Sequence, residues 1–206
     1  MREVVFGTAN EGKLKDVNNI LASTALRIKS LRDVGLEPFD IAETGSTLEE
    51  NAIIKFNALR PLIPIDDILV TEDTGIEIDA LDGRPGVYSR RWEAGGEEMS
   101  DEQVLRKVID EMKGKKDRTA RFISVIAFGV AGPPPQLIKG ELVGSLLEEP
   151  DMKGFEPGLP YRALFYIPQL KKMLYEVHDV PSSDRQGLLT HREKVWLKLA
   201  EKLTEK

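Results

Sequence analysis

Side chains suited to gripping and cutting a polyphosphate recur along this chain at the ends of short apolar runs. The first group is Thr8, Ala9, Asn10, Glu11, Gly12 and Lys13, which closes a run begun at Val4 and precedes Leu14, Val17 and Leu21 at helical spacing. Small residues at a strand-to-helix junction let backbone N–H groups approach an anion, and the helix N-terminus adds partial positive charge, to which Lys13 adds a full one. The segment lacks the GxxxxGK[ST] spacing of a P-loop, and a plain turn with a surface lysine has the same composition.

The second group joins Glu43 to a helix on which Asn51 and Lys55, four residues apart, share a face opposite the apolar stripe. That face either meets water or sets Lys55 over a triphosphate with Glu43 on a metal. The third group, Glu72, Asp73, Thr74 and Gly75, reads as an acidic turn after an apolar strand. Adjacent carboxylates near a core need a counter-charge. A magnesium ion would supply it, because magnesium combines one or two carboxylates with water and phosphate oxygens. Asp73 would then orient or deprotonate a water attacking phosphorus. A tight turn whose acids face solvent is the alternative. The fourth group is Thr190, His191 and Arg192, opening the last helix, where an anion is favoured and His191 can donate to a base edge or a phosphate. A capping Thr190 followed by ordinary surface residues is the plainer reading. Trp92 and Trp196 read as core or interface residues.

The elements that must hold these groups follow from periodicity and punctuation. Thr47 with Glu50 forms a capping-box pattern ahead of Leu48, Ala52, Phe56 and Leu59 on one stripe, closed by Pro61 and Pro64. Ile68 to Val70 and Ile76 to Ile78 read as two strands flanking the acidic turn. Gly83, Pro85 and Gly86 mark a loop, and Ser100 with Gln103 caps a helix bearing Val104, Val108 and Met112, stopped at Gly114. Residues 120–130 and 137–147 form a long hairpin about AGPPPQ, which makes the sheet mixed. A Pro- and Gly-rich loop over 149–160 leads to a strand at 163–167, and the last helix spans 191–202.

Bulk properties narrow the chemistry. The 206 residues suit one domain over 1–206, and 41% apolar with 31% charged residues is the composition of a folded globular chain. A net charge of −6 disfavours nucleic acid as a partner. Cysteine is absent and His numbers 2, which removes thiol chemistry and leaves little for a zinc site. No 18 consecutive apolar residues occur, so no membrane association is expected, and the short N-terminal apolar run predicts a cytoplasmic protein.

Taken in order, TANEGK, ETGSTLEENAIIK, VTEDTGIEIDALDGRPGVYSRRW, RTARFISVIAF and THR resemble the inosine triphosphate pyrophosphatase, or Ham1-like, family over nearly the whole chain. The resemblance implies an α/β fold with a long mixed β-sheet flanked by helices, two lobes with a central cleft, and assembly as a homodimer. It implies a Mg2+-dependent nucleoside triphosphate pyrophosphatase that converts ITP, dITP and XTP to the monophosphate and pyrophosphate. Carried over by position, Thr8 to Lys13, Lys55 and Thr74 line the substrate, Glu43 and Asp73 bind the metal, and Asp73 is the catalytic base. His191 and Arg192 read the purine.

Further on, GLPYRALFYIP from Gly158 matches a base-binding segment in which Tyr161 is kept, while Leu159 replaces a stacking aromatic and Arg162 an Asp. A family lysine falls on Gln186, with Arg185 beside it as a substitute. The triphosphate half of the pattern is thus retained and the base half altered. This leaves two further readings open: a related pyrophosphatase with shifted base preference, and a nucleotide-binding protein without turnover.

Overall fold

In a computed structural model, which describes residues 2–37, 39–180 and 182–204, β1 (Arg2–Phe6) runs into α1 (Glu11–Leu21). Asn10 caps α1 by accepting the Lys13 N–H, and Val17, Ile20 and Leu21 turn inward. β2 (Leu26–Lys29) returns parallel to β1. The stripe expected for the next helix is buried as α2 (Leu48–Leu59), with Leu48, Ala52, Phe56 and Leu59 all inside.

Its capping box is complete: Thr47 accepts from the Glu50 N–H, and the Glu50 carboxylate accepts from the Thr47 N–H. Thr47→Ala removes half of that box and is expected to cost about 1 kcal/mol of unfolding free energy, read from the urea midpoint at unchanged slope.

β3 (Leu69–Ile78) corrects one expectation. The acidic segment is no turn between two strands but lies inside a single ten-residue strand, with Glu72 and Asp73 only 3% and 5% exposed. The sequence pattern broke at Glu72 because polar residues interrupt an apolar run; the strand continues through them because cations from distant helices meet each carboxylate.

β4 (Pro85–Gly86) pairs antiparallel with β3 where only a loop was expected. α3 (Asp101–Glu111) carries the expected Ser100 and Gln103 capping box, and Gly114, at φ +74, follows its end. β5 (Thr119–Gly129) and β6 (Gln136–Leu146) are neighbours in the sheet, joined by a connection too short for a parallel crossover, which makes them the expected hairpin. β7 (Phe165–Ile167) and β8 (Lys172–Met173) continue antiparallel, and α4 (His191–Thr204) ends the described chain. Sequence periodicity missed β2, β4 and β8, whose four or fewer residues are too short to establish a pattern.

The strands form one mixed eight-stranded sheet in the order β2-β1-β3-β5-β6-β7-β8, with β4 on β3, so the expected α/β class and mixed sheet are both observed. The chain divides into two compact units, one of Met1–Thr74, Ser124–Gly140 and His191–Lys206, the other of Gly75–Ile123 and Glu141–Thr190. The first has its own core, in which Phe6 meets the edge of the fully buried Trp196 at 4.7 Å between centroids, among Val17, Leu21, Leu26, Val70, Ile126 and Leu199. In the second, Phe122 and Phe165 pack at 4.8 Å among Ile76, Val108, Leu164 and Val177.

Candidate active site

A strand points successive side chains to opposite faces, and this alternation sorts the acids of β3. On one face, Thr71 donates to the Ala52 carbonyl of α2 at 2.7 Å, and Asp73 meets α2 two residues later. Lys55 Nζ donates to Asp73 Oδ1 at 2.7 Å and to Glu43 Oε1 at 2.9 Å. Asn51 Nδ2 donates to the other Asp73 oxygen at 3.2 Å. Two carboxylates from stretches thirty residues apart therefore share one ammonium group.

On the opposite face the Glu72 carboxylate is saturated. Its Oε1 accepts from Arg192 Nε at 3.0 Å and from Thr74 Oγ1 at 2.7 Å, with Lys13 Nζ 3.6 Å away, while Oε2 accepts from Trp196 Nε1 at 2.9 Å. Arg192 completes the cluster by donating to Asp16 Oδ2 of α1 at 2.7 Å. Ser124 of β5 lies 3.1 Å from the Thr74 hydroxyl.

The two carboxylates are tuned in opposite directions. Burial pushes Glu72 up, but Arg192 and Lys13 outweigh it and hold the group well below the usual carboxylate range. Burial pushes Asp73 above the ordinary aspartate range, Lys55 opposing and Glu43 adding to the rise. Lys13 is held below the usual lysine range by its burial, with Lys55 and Arg192 adding to the fall against the pull of Glu72. Burial lowers Lys55 too, yet Asp73 and Glu43 more than compensate. The proton affinities of the two neighbouring carboxylates are thus pushed apart, low at 72 and high at 73.

The loop before α1 joins this set. Thr8 Oγ1 accepts the Asn10 N–H at 3.1 Å, Asn10 Oδ1 the Lys13 N–H at 3.0 Å, and Gly12 is buried. Ala9 and Glu11 are exposed, and Glu11 pairs with Arg32 at 3.2 Å. Gly7 precedes the loop at a point where an added Cβ would lie 2.5 Å from the Leu59 side chain, so glycine lets β1 approach α2.

Arg192 departs from the expectation of a projecting purine reader. It is 4% exposed, and its guanidinium is spent on Asp16 and Glu72. His191 and Thr190 are buried as well, at 5% and 4%. Tyr161 and Arg185 belong to the second unit. There the Tyr161 hydroxyl donates to the Ser89 carbonyl at 2.7 Å and the ring is buried, while Arg185 Nε donates to the Val180 carbonyl at 2.8 Å. Arg162, in the altered base segment, is buried against Glu156. Gln186 is exposed, at φ +52.

Sequence reasoning did not single out Asp16, Ser124 or the role of Trp196. A signal for the first and last was present: Asp16 lies three residues after Lys13 and Trp196 four after Arg192, spacings that place each pair on one helical face.

Comparison with known proteins places this geometry in context. The description of the Ham1 family matches residues 4–202. The dITP/XTP pyrophosphatase of Bacillus subtilis (strain 168) is 36% identical over 205 residues, covering 98% of each chain. The dITP/XTP pyrophosphatase of Geobacillus kaustophilus is 34% identical, covering all of this chain and 96% of its own. Among solved structures, the Ham1 protein of Staphylococcus aureus superposes with a TM-score of 0.72 at 30% identity, over 98% of this chain and 97% of that one. A HAM1 protein from Coxiella burnetii gives 0.76 at 28% identity over the full length of both.

Proposed function

Because this chain belongs to the Ham1 family, we propose that it is a nucleoside triphosphate pyrophosphatase that converts dITP, ITP and XTP to the monophosphate and pyrophosphate, clearing them from the nucleotide pool. The observation that carries the reading is Lys55 holding Asp73 and Glu43 on one ammonium, with Lys13 in the first turn of α1 close enough to interact with both Lys55 and Asp73.

The reading includes Mg2+ as cofactor. The donor set fits a hard divalent cation: both Glu43 and Asp73 offer carboxylate oxygens close enough to share one cation. Among the described residues no group of three or more His, Cys, Asp and Glu is arranged for a metal, and magnesium characteristically takes one or two carboxylates, with water and phosphate filling the rest. When bound there, the ion would neutralise phosphate charge and acidify water.

The protein's own groups supply the remainder. The backbone N–H groups that open α1 and the ammonium groups of Lys13 and Lys55 bind the phosphates and stabilise the charge that gathers on them. Asp73 orients a water on the α-phosphorus and accepts its proton as the new P–O bond forms and the bond to pyrophosphate breaks. Glu72, already accepting from Arg192, Thr74 and Trp196, keeps Lys13 in place and takes no part in the proton transfer.

The same reading has the protein act as a homodimer in the cytoplasm, without nucleic acid; no helix among the described residues is long and apolar enough to cross a membrane. One structural feature favours a second reading, a shifted base preference: Tyr161 and Arg162 are occupied by Ser89 and Glu156. Pyrophosphate release from dITP, ITP, XTP, GTP and dUTP, with and without Mg2+, tests both. The main reading expects kcat/KM for dITP and XTP to exceed that for GTP by at least about a hundredfold, the scale on which a pocket rejects an analogue differing by one small group. A maximum at another nucleotide would favour the second, and tight metal-dependent binding of dITP with no product would leave a binding protein.

A further inference from the structure

Asn51 is 2% exposed and unused in the steps above, yet both ends of its amide are committed. Oδ1 accepts the Gly45 N–H at 2.8 Å, and Nδ2 donates to Asp73 Oδ2 at 3.2 Å. Gly45 stands two residues beyond Glu43, and it is pressed against the first turn of α2. A Cβ added there would lie 2.6 Å from Asn51 Oδ1, 2.8 Å from Glu50 Cβ and 3.0 Å from the Asn51 nitrogen. The next residue is tied to the same turn, since Ser46 donates its N–H and its hydroxyl to Glu50 Oε2 at 2.6 and 2.8 Å.

The bonds close a ring. From Glu43 it passes through Lys55 to Asp73, through Asn51 to Gly45, and along two residues of backbone back to Glu43. An amide is the side chain suited to this position, because it must accept from a backbone N–H on one side and donate to a carboxylate on the other. A carboxylate at 51 would face Asp73 with like charge, and an aliphatic residue would leave the buried Gly45 N–H without an acceptor.

We propose that Asn51 is a positioning residue that sets the separation of the Glu43 and Asp73 carboxylates, and so fixes affinity for the divalent cation apart from affinity for the nucleotide. The proposal rests on the reading of Glu43 and Asp73 as metal ligands. Lys55 reaches both carboxylates from α2 without tying either to the backbone that carries the other, whereas Asn51 ties Asp73 to the backbone that carries Glu43. Groups that orient metal ligands typically change metal affinity 10- to 100-fold when removed.

The test measures two affinities on the full-length protein. The Kd of Mn2+ is read from the EPR signal of the free ion in the presence of α,β-methylene-ITP, and the Kd of that analogue alone is read by calorimetry in EDTA. Asn51→Ala is expected to weaken Mn2+ binding by about tenfold and to leave metal-free analogue affinity within about twofold, inside the scatter of independent sites. Gly45→Ala disturbs the same contact from the loop side, its Cβ pressing on Asn51 Oδ1 while the amide itself is kept; it should weaken Mn2+ binding similarly, and the double variant no further than either single one. Equal loss of both affinities, or unchanged Mn2+ binding in either folded single variant, or full additivity in the double variant, overturns the proposal. Asp73→Asn serves as the separate control on the underlying reading: undiminished Mn2+ binding there would reject Asp73 as a ligand, whatever Asn51 does.

Discussion

Replacing Asp73 by Asn is expected to lower kcat for dITP about a thousandfold, the scale of a lost general base, while leaving a folded protein. Asn is nearly isosteric and its one carbonyl oxygen can still accept from Lys55, while the charge, the proton acceptance and the second oxygen that meets Asn51 are lost. Pyrophosphate release under saturating dITP and Mg2+ provides the measurement, and near-normal turnover would remove Asp73 from the chemistry.

The same variant makes a signed prediction about stability. Since burial raises the folded-state proton affinity of Asp73 above the ordinary aspartate range, the ionised group costs stability. That cost is absent below the unfolded-state value, grows as pH climbs to the folded value, and stays constant above it. Asp73→Asn lacks the cost. Its melting temperature relative to the parent should therefore be more favourable at about pH 7 than at about pH 3.5. The opposite trend would mean that Lys55 overcompensates the burial of Asp73.

Removing Arg192 strikes stability rather than base recognition. Its guanidinium holds Asp16 and Glu72, and Arg192→Ala leaves both carboxylates buried without it. Breaking a buried pair from one side typically costs about 3–5 kcal/mol, a large part of the 5–15 kcal/mol that keeps most domains folded. Urea unfolding should register a loss of that size at neutral pH.

Glu72, held far below the usual range, contributes stability that is complete above the ordinary glutamate value and disappears as pH falls through its folded value. Without Arg192 the carboxylate protonates more readily, so the gap between variant and parent should narrow as pH drops below the ordinary carboxylate range. A variant as stable as its parent, altered only in preference among dITP, XTP and GTP, would restore Arg192 as the purine reader.

The helix α2 that carries Asn51 and Lys55, and α3 outside the site, were legible from local pattern because their signals are local. Thr47 and Glu50 announce α2, Ser100 and Gln103 announce α3, and in each the stripe that follows is buried. The cap is a contact between residues three apart, and an apolar stripe repeats within one turn, so neither needs the rest of the chain. Glu43, Lys55 and Asp73 were likewise selected by residue type and order, and they meet within hydrogen-bond distance.

What residue order alone determined, then, was which side chains are available and on what kind of element each stands. Tertiary structure decided which face of β3 each acid occupies, and with it their different partners: Glu72 sealed under Arg192 and Trp196, Asp73 left to Lys55 and Asn51. It also turned Arg192 from a projecting residue into an internal counter-ion. Both outcomes depend on Glu72 meeting residues more than one hundred positions away in the chain. The charge of a side chain is written in its identity, but the cost of burying that charge depends on which partners the fold brings within about 4 Å.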